Sequence, residues 1–262
     1  LINTINSNFY SRMISNYIKK IEESNQRISS GLKLTKDLSS YLPKLNKFKA
    51  NLSALKYAQN NIQEGISYLQ YRENVYKTLS YHIQDLNTLS IAYKNNLISE
   101  EEKNIIENNA REIINNIKNI VDKSFFNGKN IFEMNDIYIQ TGTVKDEGIT
   151  IKNSVVKNDI DTLINMDVKD FLNSDFAENP LLKNIAHDIN INATYENLLE
   201  HRMNLNLSLS SVYEDYINKI ESVDIAKEML EKTKNETMLS SVLTLMGQQL
   251  DNQRNYIFTL LR

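Results

Sequence analysis

The chain contains no cysteine and no tryptophan, and only six glycines and two prolines among 262 residues. Without cysteine there are no disulfides, thiolate nucleophiles or thiolate metal sites. A run of about 18 apolar residues, which a membrane-spanning helix needs, is also missing, so membrane insertion is not expected. The 30 basic and 33 acidic side chains are interspersed, with a net charge of −3. Nucleic-acid binding needs a concentrated positive face, and this pattern does not supply one. In the first twenty residues Asn3, Asn6, Ser7, Asn8, Ser11 and Arg12 break any apolar run, so no cleaved secretory signal is expected.

The scarce glycines and prolines are unevenly placed. Residues 1–124 and 181–262 hold only Gly31, Pro43, Gly65 and Gly247, whereas Gly128, Gly142, Gly148 and Pro180 fall in the centre. These residue types are the costliest in a helix interior, so both ends can be long helices and the middle is interrupted. The predicted class is mainly α, an elongated antiparallel helical bundle or coiled coil with a small central β-hairpin and paired N- and C-terminal helices.

Ile2, Ile5, Phe9, Met13, Tyr17, Ile18 and Ile21 form one helical stripe, ended by Ser29, Ser30 and Gly31. Residues 33–43 read as a connector. Beyond it Phe48, Leu55, Ile62, Leu69, Tyr76 and Ile83 fall seven apart. A sustained heptad needs a partner helix along its length. If continuous, residues 44–98 would extend about 80 Å at 1.5 Å per residue. Ser99 and Glu102 form a capping box for a further helix with Ile105, Ile106, Ile113, Ile114, Ile117 and Val121 on its apolar face. Asn127 and Gly128 favour a tight turn, and residues 137–141 and 149–151 read as short strands. Pro180 suits the first turn of a returning helix. Its apolar positions run from Ile185 through Leu198, Leu207, Leu209, Val212 and Tyr216 to Ile220. Asp224 is a plausible N-cap for a last helix carrying Leu239, Val242, Leu243, Met246, Leu250, Ile257, Leu260 and Leu261.

Little here resembles an active site. The three histidines, His82, His187 and His201, have no metal-binding spacing, and His187 beside Asp188 is a weak pair. There is no nucleophile elbow, and Gly142 and Gly148 lack the trailing Lys and Ser or Thr of a phosphate loop. No catalytic residue, metal or cofactor is expected. The stripes of 44–123 can bury against the return helix 181–220. Those of 1–32 and 225–262 form at most a two-helix pair, which would be marginal alone and must be disordered, sticky or assembled. Assembly is the sharper reading, and a helical polymer buries such a seam without closed symmetry.

Several ordered segments resemble bacterial flagellin. Leu1 to Thr4 resembles the family's opening, and Arg27 to Leu34, Arg-Ile-Ser-Ser-Gly-Leu-Lys-Leu, resembles its Arg-Leu-Ser-Ser-Gly-Leu-Arg-Ile signature. Asn60 to Gln70, with Gln63, Gly65, Ile66, Ser67 and Leu69, is similar to Asn-Asp-Gly-Ile-Ser-Leu-Leu-Gln. Phe126, Asn127 and Gly128 match Phe-Asn-Gly. Val223 to Met229 is similar to Asp-Ala-Asp-Met-Ala-Glu-Glu-Met, Thr233-Lys234-Asn235 follows, and Leu260-Leu261-Arg262 matches the terminal Leu-Leu-Arg.

The resemblance implies a secreted subunit of the bacterial flagellar filament, lying outside the cell, or in the periplasm as in spirochaetes. It implies residues 1–43 with 222–262 as inner-tube helices and 44–221 as an outer-tube bundle with a small β-element at about 133–180, a minimal form without outer variable domains. Ile5, Phe9, Met13, Leu239, Val242, Leu243, Met246, Leu250, Ile257, Leu260, Leu261 and Arg262 would serve polymerisation. Phe48, Leu55, Ile62, Leu69, Tyr76 and Ile83 would form the outer-tube core. The implied partners are copies of itself, an export chaperone, the filament cap and hook-associated proteins, with export unfolded through the flagellar type III apparatus. The hook-filament junction protein is the alternative, disfavoured by the Ser-Ser-Gly and Leu-Leu-Arg segments. A zinc-protease insert would need a His-Glu-x-x-His helix, and residues 125–180 contain no histidine.

Two departures stand out. After the signature the family usually has Ala-Lys-Asp-Asp-Ala-Ala-Gly, where this chain has Thr35 to Pro43 and is shorter by about two residues on that alignment. In the receptor-recognised stretch, aligned on Leu89, Asp85 and Asn87 stand where many flagellins that activate Toll-like receptor 5 carry arginines, so weak or no activation is expected.

Overall fold

The structure is a computed structural model that describes residues 2–154, 156–174 and 180–260, with side chains described between 8 and 250. In chain order come α1 (Ile2–Ser30), a 3-10 turn (Thr35–Leu38), α2 (Leu42–Tyr93) and α3 (Glu100–Lys123). Two antiparallel strand pairs follow, β1 (Phe125–Phe126) with β2 (Lys129–Asn130) and β3 (Ile137–Gln140) with β4 (Gly148–Ile151). Then come α4 (Val156–Asn165), α5 (Val168–Asn173), α6 (Pro180–Glu221) and α7 (Ile225–Leu260). The class is mainly α, a helical bundle with a small β-element. Two compact units are present, residues 51–211 and residues 1–50 with 212–262.

The ends of the elements follow local chemistry. Ser99 Oγ accepts from the Glu102 N–H at 3.2 Å while the Glu102 carboxylate accepts from the Ser99 N–H at 2.8 Å, so the capping box forms in full. Asn127 and Gly128 both have positive φ, 48° and 76°, and turn β1 into β2. Asp224 caps α7, accepting from the Lys227 N–H at 3.1 Å.

Three expectations are corrected. The helix of residues 44–98 stops at Tyr93, because Asn95 Oδ1 takes the Leu97 N–H at 3.0 Å in a local turn that competes with the helix. The connector 33–43 is partly structured. Leu38 is buried in its 3-10 turn, and α2 already begins at Leu42, with Pro43 in the first turn where its missing N–H costs nothing. The central segment also holds more than a hairpin. Helices α4 and α5 bury Val156, Ile160, Leu163, Val168, Phe171 and Leu172.

In the 51–211 unit the core gathers one side of α2 with α3, α4, α5 and α6. Ile62, Leu69, Tyr76, Leu79, Ile83 and Leu86 of α2 join Ile117, Phe132, Ile151, Phe171, Ile185 and Leu199. Gly65 lets the hairpin approach α2. A Cβ placed there would lie 2.2 Å from Ile139 Cδ1 and 3.0 Å from Leu199 Cδ1. Polar bonds set the α2 to α6 register, with Gln59 donating to Ser210 at 3.1 Å and Gln70 to Glu196 at 2.7 Å. Just beyond the bond between Gln70 and Glu196 along both helices, Arg72 is a buried guanidinium. It donates from Nε to Asn192 Oδ1 at 2.9 Å, again to the same oxygen from Nη2, and from Nη1 to the Lys152 carbonyl at 3.2 Å. The Tyr68 ring lies 5.2 Å from it. These partners are neutral, so Arg72 is held by hydrogen bonds and ring contact.

Candidate assembly surface

In the unit of residues 1–50 and 212–262, α1 lies against α7. The pair is closed at one end by backbone. Leu32 bridges Ser222, the Lys33 N–H donates to the Glu221 carbonyl at 2.7 Å, and the Val223 N–H donates to the Gly31 carbonyl at 3.0 Å. Gly31 makes this possible with φ of 69°, a left-handed helix exit that a side chain would strain although space surrounds it.

Charge is concentrated beside this closure. Arg27 donates to Asp37 Oδ2 at 2.9 Å and to Glu228 Oε1 at 3.0 Å, and Ser24 Oγ donates to the same Glu228 oxygen at 2.6 Å. Lys36 pairs with Glu23, which also lies 3.9 Å from Arg27. The hydrogen bond from Lys36 holds the Glu23 carboxyl below its ordinary value. Desolvation opposes ionisation of Asp37, but the Arg27 guanidinium and the Leu34 N–H prevail and hold it low. The residue spacing alone does not reveal this cluster. Its one sequence signal is that Arg27 opens one resembling segment while Glu228 sits in another, some 200 positions away.

Along the pair, α7 lays Val242, with Leu239 and Met246 half-buried beside it, on α1. Two further apolar stripes remain open. One carries Leu230, Met238 and Leu245, with Leu230 72% exposed; the other carries Ile225, Met229, Leu243 and Leu250, with Leu243 49% exposed. These positions repeat at near-integral numbers of helical turns. On α1, Met13 is half-buried, whereas Phe9 and Ile18 are exposed. The last helix therefore carries exposed apolar residues, interspersed with Lys227, Glu231, Lys234 and Glu236, on two faces beyond the one that α1 covers. The side chains of Ile5, Ile257 and Leu260, and the whole of Leu261 and Arg262, lie outside the described residues.

The remaining sequence-predicted positions separate. Leu55, Ile62, Leu69, Tyr76 and Ile83 are buried in the 51–211 unit. Phe48 belongs to the other unit and is half-buried, its ring 5.6 Å from those of Tyr213 and Tyr216. On α6, Leu198, Leu207, Leu209, Val212 and Tyr216 are exposed instead of facing a core, and so is Ile105 of α3. Asp85 is exposed, and Asn87 and Leu89 are half-buried. With Thr88 and Leu89, Asp85 lines a shallow groove against Asn109, Glu112 and Ile113 of α3. Among the described residues no group of three His, Asp or Glu could hold a metal ion, and no helix is long and apolar enough to cross a membrane.

Residues 2–136 match the sequence profile of the bacterial flagellin N-terminal helical region, more than half of the chain. The chain belongs to the bacterial flagellin family. Similar proteins include Flagellin 1 of Proteus mirabilis, 30% identical over 167 residues, covering 61% of this chain and 45% of that protein. Flagellin of Halalkalibacterium halodurans is 24% identical over 248 residues, 90% of each chain. The flagellar filament 33 kDa core protein of Treponema phagedenis is 23% identical over 264 residues, 92% of each. The chain thus spans less than half of the first relative and nearly all of the other two. Membership makes it a structural protein of the flagellar filament, a component that is extracellular or periplasmic.

Proposed function

We propose that the α1/α7 pair is the polymerising part of this filament subunit and that copies of the chain bury one another's open stripes. The observation that carries the reading is the composition of α7. Seven large apolar side chains of α7, Ile225, Met229, Leu230, Met238, Leu243, Leu245 and Leu250, stand exposed outside the face that α1 covers. Two open stripes call for neighbours on two sides, which builds a lattice in which each copy uses different patches toward different neighbours. The role is mechanical and not catalytic.

The same exposed stripes would be a hazard in an unassembled chain. Export unfolded through the flagellar type III apparatus, with a chaperone on the last helix and folding under a filament cap beside hook-associated proteins, answers that hazard. The anionic Asp85 and neutral Asn87, where a receptor-binding cation is expected, support weak or absent activation of Toll-like receptor 5. A reporter assay with purified monomer should give little signal, and full activation would overturn that part.

The test of the main reading is seeded growth. Purified full-length protein added to filament fragments should extend them into long filaments under negative-stain microscopy. Protein that binds seed ends and halts growth would instead indicate a junction component.

A further inference from the structure

With no cysteine in the chain, its oxidisable sulfur lies in seven methionines. Three of them, Met229, Met238 and Met246, lie on α7. Their positions differ. Met246 is half-buried on the side toward α1, Met229 is 56% exposed on one open stripe, and Met238 is 45% exposed on the other. One accessible thioether therefore stands on each of the two apolar surfaces that have no cover among the described residues.

A thioether packs readily among apolar neighbours such as Leu230, Leu243 and Leu245, but its sulfur accepts an oxygen atom from a peroxide. The sulfur gives up two electrons and gains the oxygen, and hydrogen peroxide is reduced to water. The sulfoxide is polar and a strong acceptor, and a dry helix-helix contact offers it no donor.

We propose that Met229 and Met238 are oxidation sites that gate assembly, so that sulfoxidation of the free subunit blocks packing on both open stripes while packing shields the same sulfurs in the filament. This rests on the reading that these stripes are the polymer contacts. It adds that assembly is peroxide-sensitive, with the sensitivity confined to unassembled chains and reversible by methionine sulfoxide reductase.

The test treats full-length monomer and preformed filaments separately with hydrogen peroxide, maps sulfoxide by peptide mass spectrometry, and follows seeded elongation by light scattering. The Met229→Leu/Met238→Leu variant, which keeps an apolar side chain at each site, is run in parallel. Untreated wild type and variant should both elongate. Peroxide should slow the wild type by about tenfold or more, the effect expected of an unsatisfied buried polar group. It should leave the variant nearly unchanged, and reductase treatment should restore the wild type. Both methionines should be oxidised readily in monomer and slowly in filaments. Oxidised wild type elongating at the untreated rate, equal inhibition of the variant, or equal oxidation in filament and monomer would each overturn the proposal. Failure of the untreated protein to elongate would instead count against the polymerisation reading itself.

Discussion

Arg27 and Glu228, about 200 positions apart, share a 3.0 Å charge-assisted hydrogen bond. It joins the end of α1 to the start of α7, and the same guanidinium also holds Asp37 of the connector. Arg27→Leu would leave Glu23, Asp37 and Glu228 around an apolar side chain. Losing hydrogen bonds to charged partners at this part-buried site should cost about 1–3 kcal/mol. Arg27→Lys should recover a fraction of it, since one ammonium does not reproduce the fork that serves two carboxylates. Urea unfolding of both variants, with limited proteolysis near residues 31–41, checks this. Equal stability of Arg27→Leu and wild type would remove the cluster's structural role.

The same cluster sets an acid limit. Glu23 and Asp37 both titrate below their ordinary values of 4.5 and 3.8 in the folded chain. Groups with depressed folded values add stability that is fully present above the unfolded values, near pH 4, and lost as pH falls through the lower folded ones. Thermal unfolding followed from about pH 5 downward should show this decline, and Asp37→Asn should make it shallower. A variant with an unchanged pH profile would show that Asp37 contributes nothing to the dependence.

Gly65 provides a steric test in the 51–211 unit. Alanine gains helix propensity of up to about 1 kcal/mol over glycine. Its methyl group would, however, stand 2.2 Å from the buried end of Ile139. Overpacking of this kind costs about 1–3 kcal/mol, so Gly65→Ala should be net destabilising. Adding Ile139→Val, which trims the clashing methyl, should recover part of the loss. Chemical denaturation of the single and double variants measures the coupling.

Arg72 and Asn192 are coupled in another way. Arg72→Met alone leaves the Asn192 oxygen and the Lys152 carbonyl without their donor, and should cost about 1–3 kcal/mol. The Asn192 amide nitrogen already has no hydrogen-bond partner among the described residues. Arg72→Met with Asn192→Leu removes both sides of the main interaction and should fall much nearer wild type. Strictly additive losses in a double-mutant cycle would contradict this.

Much of the architecture was legible because periodicity and punctuation agree. Gly31, the Ser99 and Glu102 box, Asn127-Gly128, Pro180 and Asp224 each end or begin an element by local chemistry that a single sequence displays. Helices α4 and α5 were not legible, since at ten and six residues each they show little period and owe their stability to burying Ile160 and Phe171 on a core formed elsewhere. For the assembly surface, the apolar positions could be read but their partners could not. Val242 and Leu243 are adjacent and equally apolar in sequence, yet one is buried against α1 and the other stands open. The Arg27 cluster was invisible for a related reason, because it assembles residues from both ends of the chain.

That difference between neighbours gives the most direct measurement, seeded elongation of Leu243→Asp. Because Leu243 is half exposed, its replacement should leave helicity and unfolding near wild type while abolishing filament growth, since an unpaired charge in a buried contact costs several kcal/mol. Growth at the wild-type rate would contradict the account. So would loss of most helicity, which would place Leu243 in the core of the subunit and not on its assembly surface.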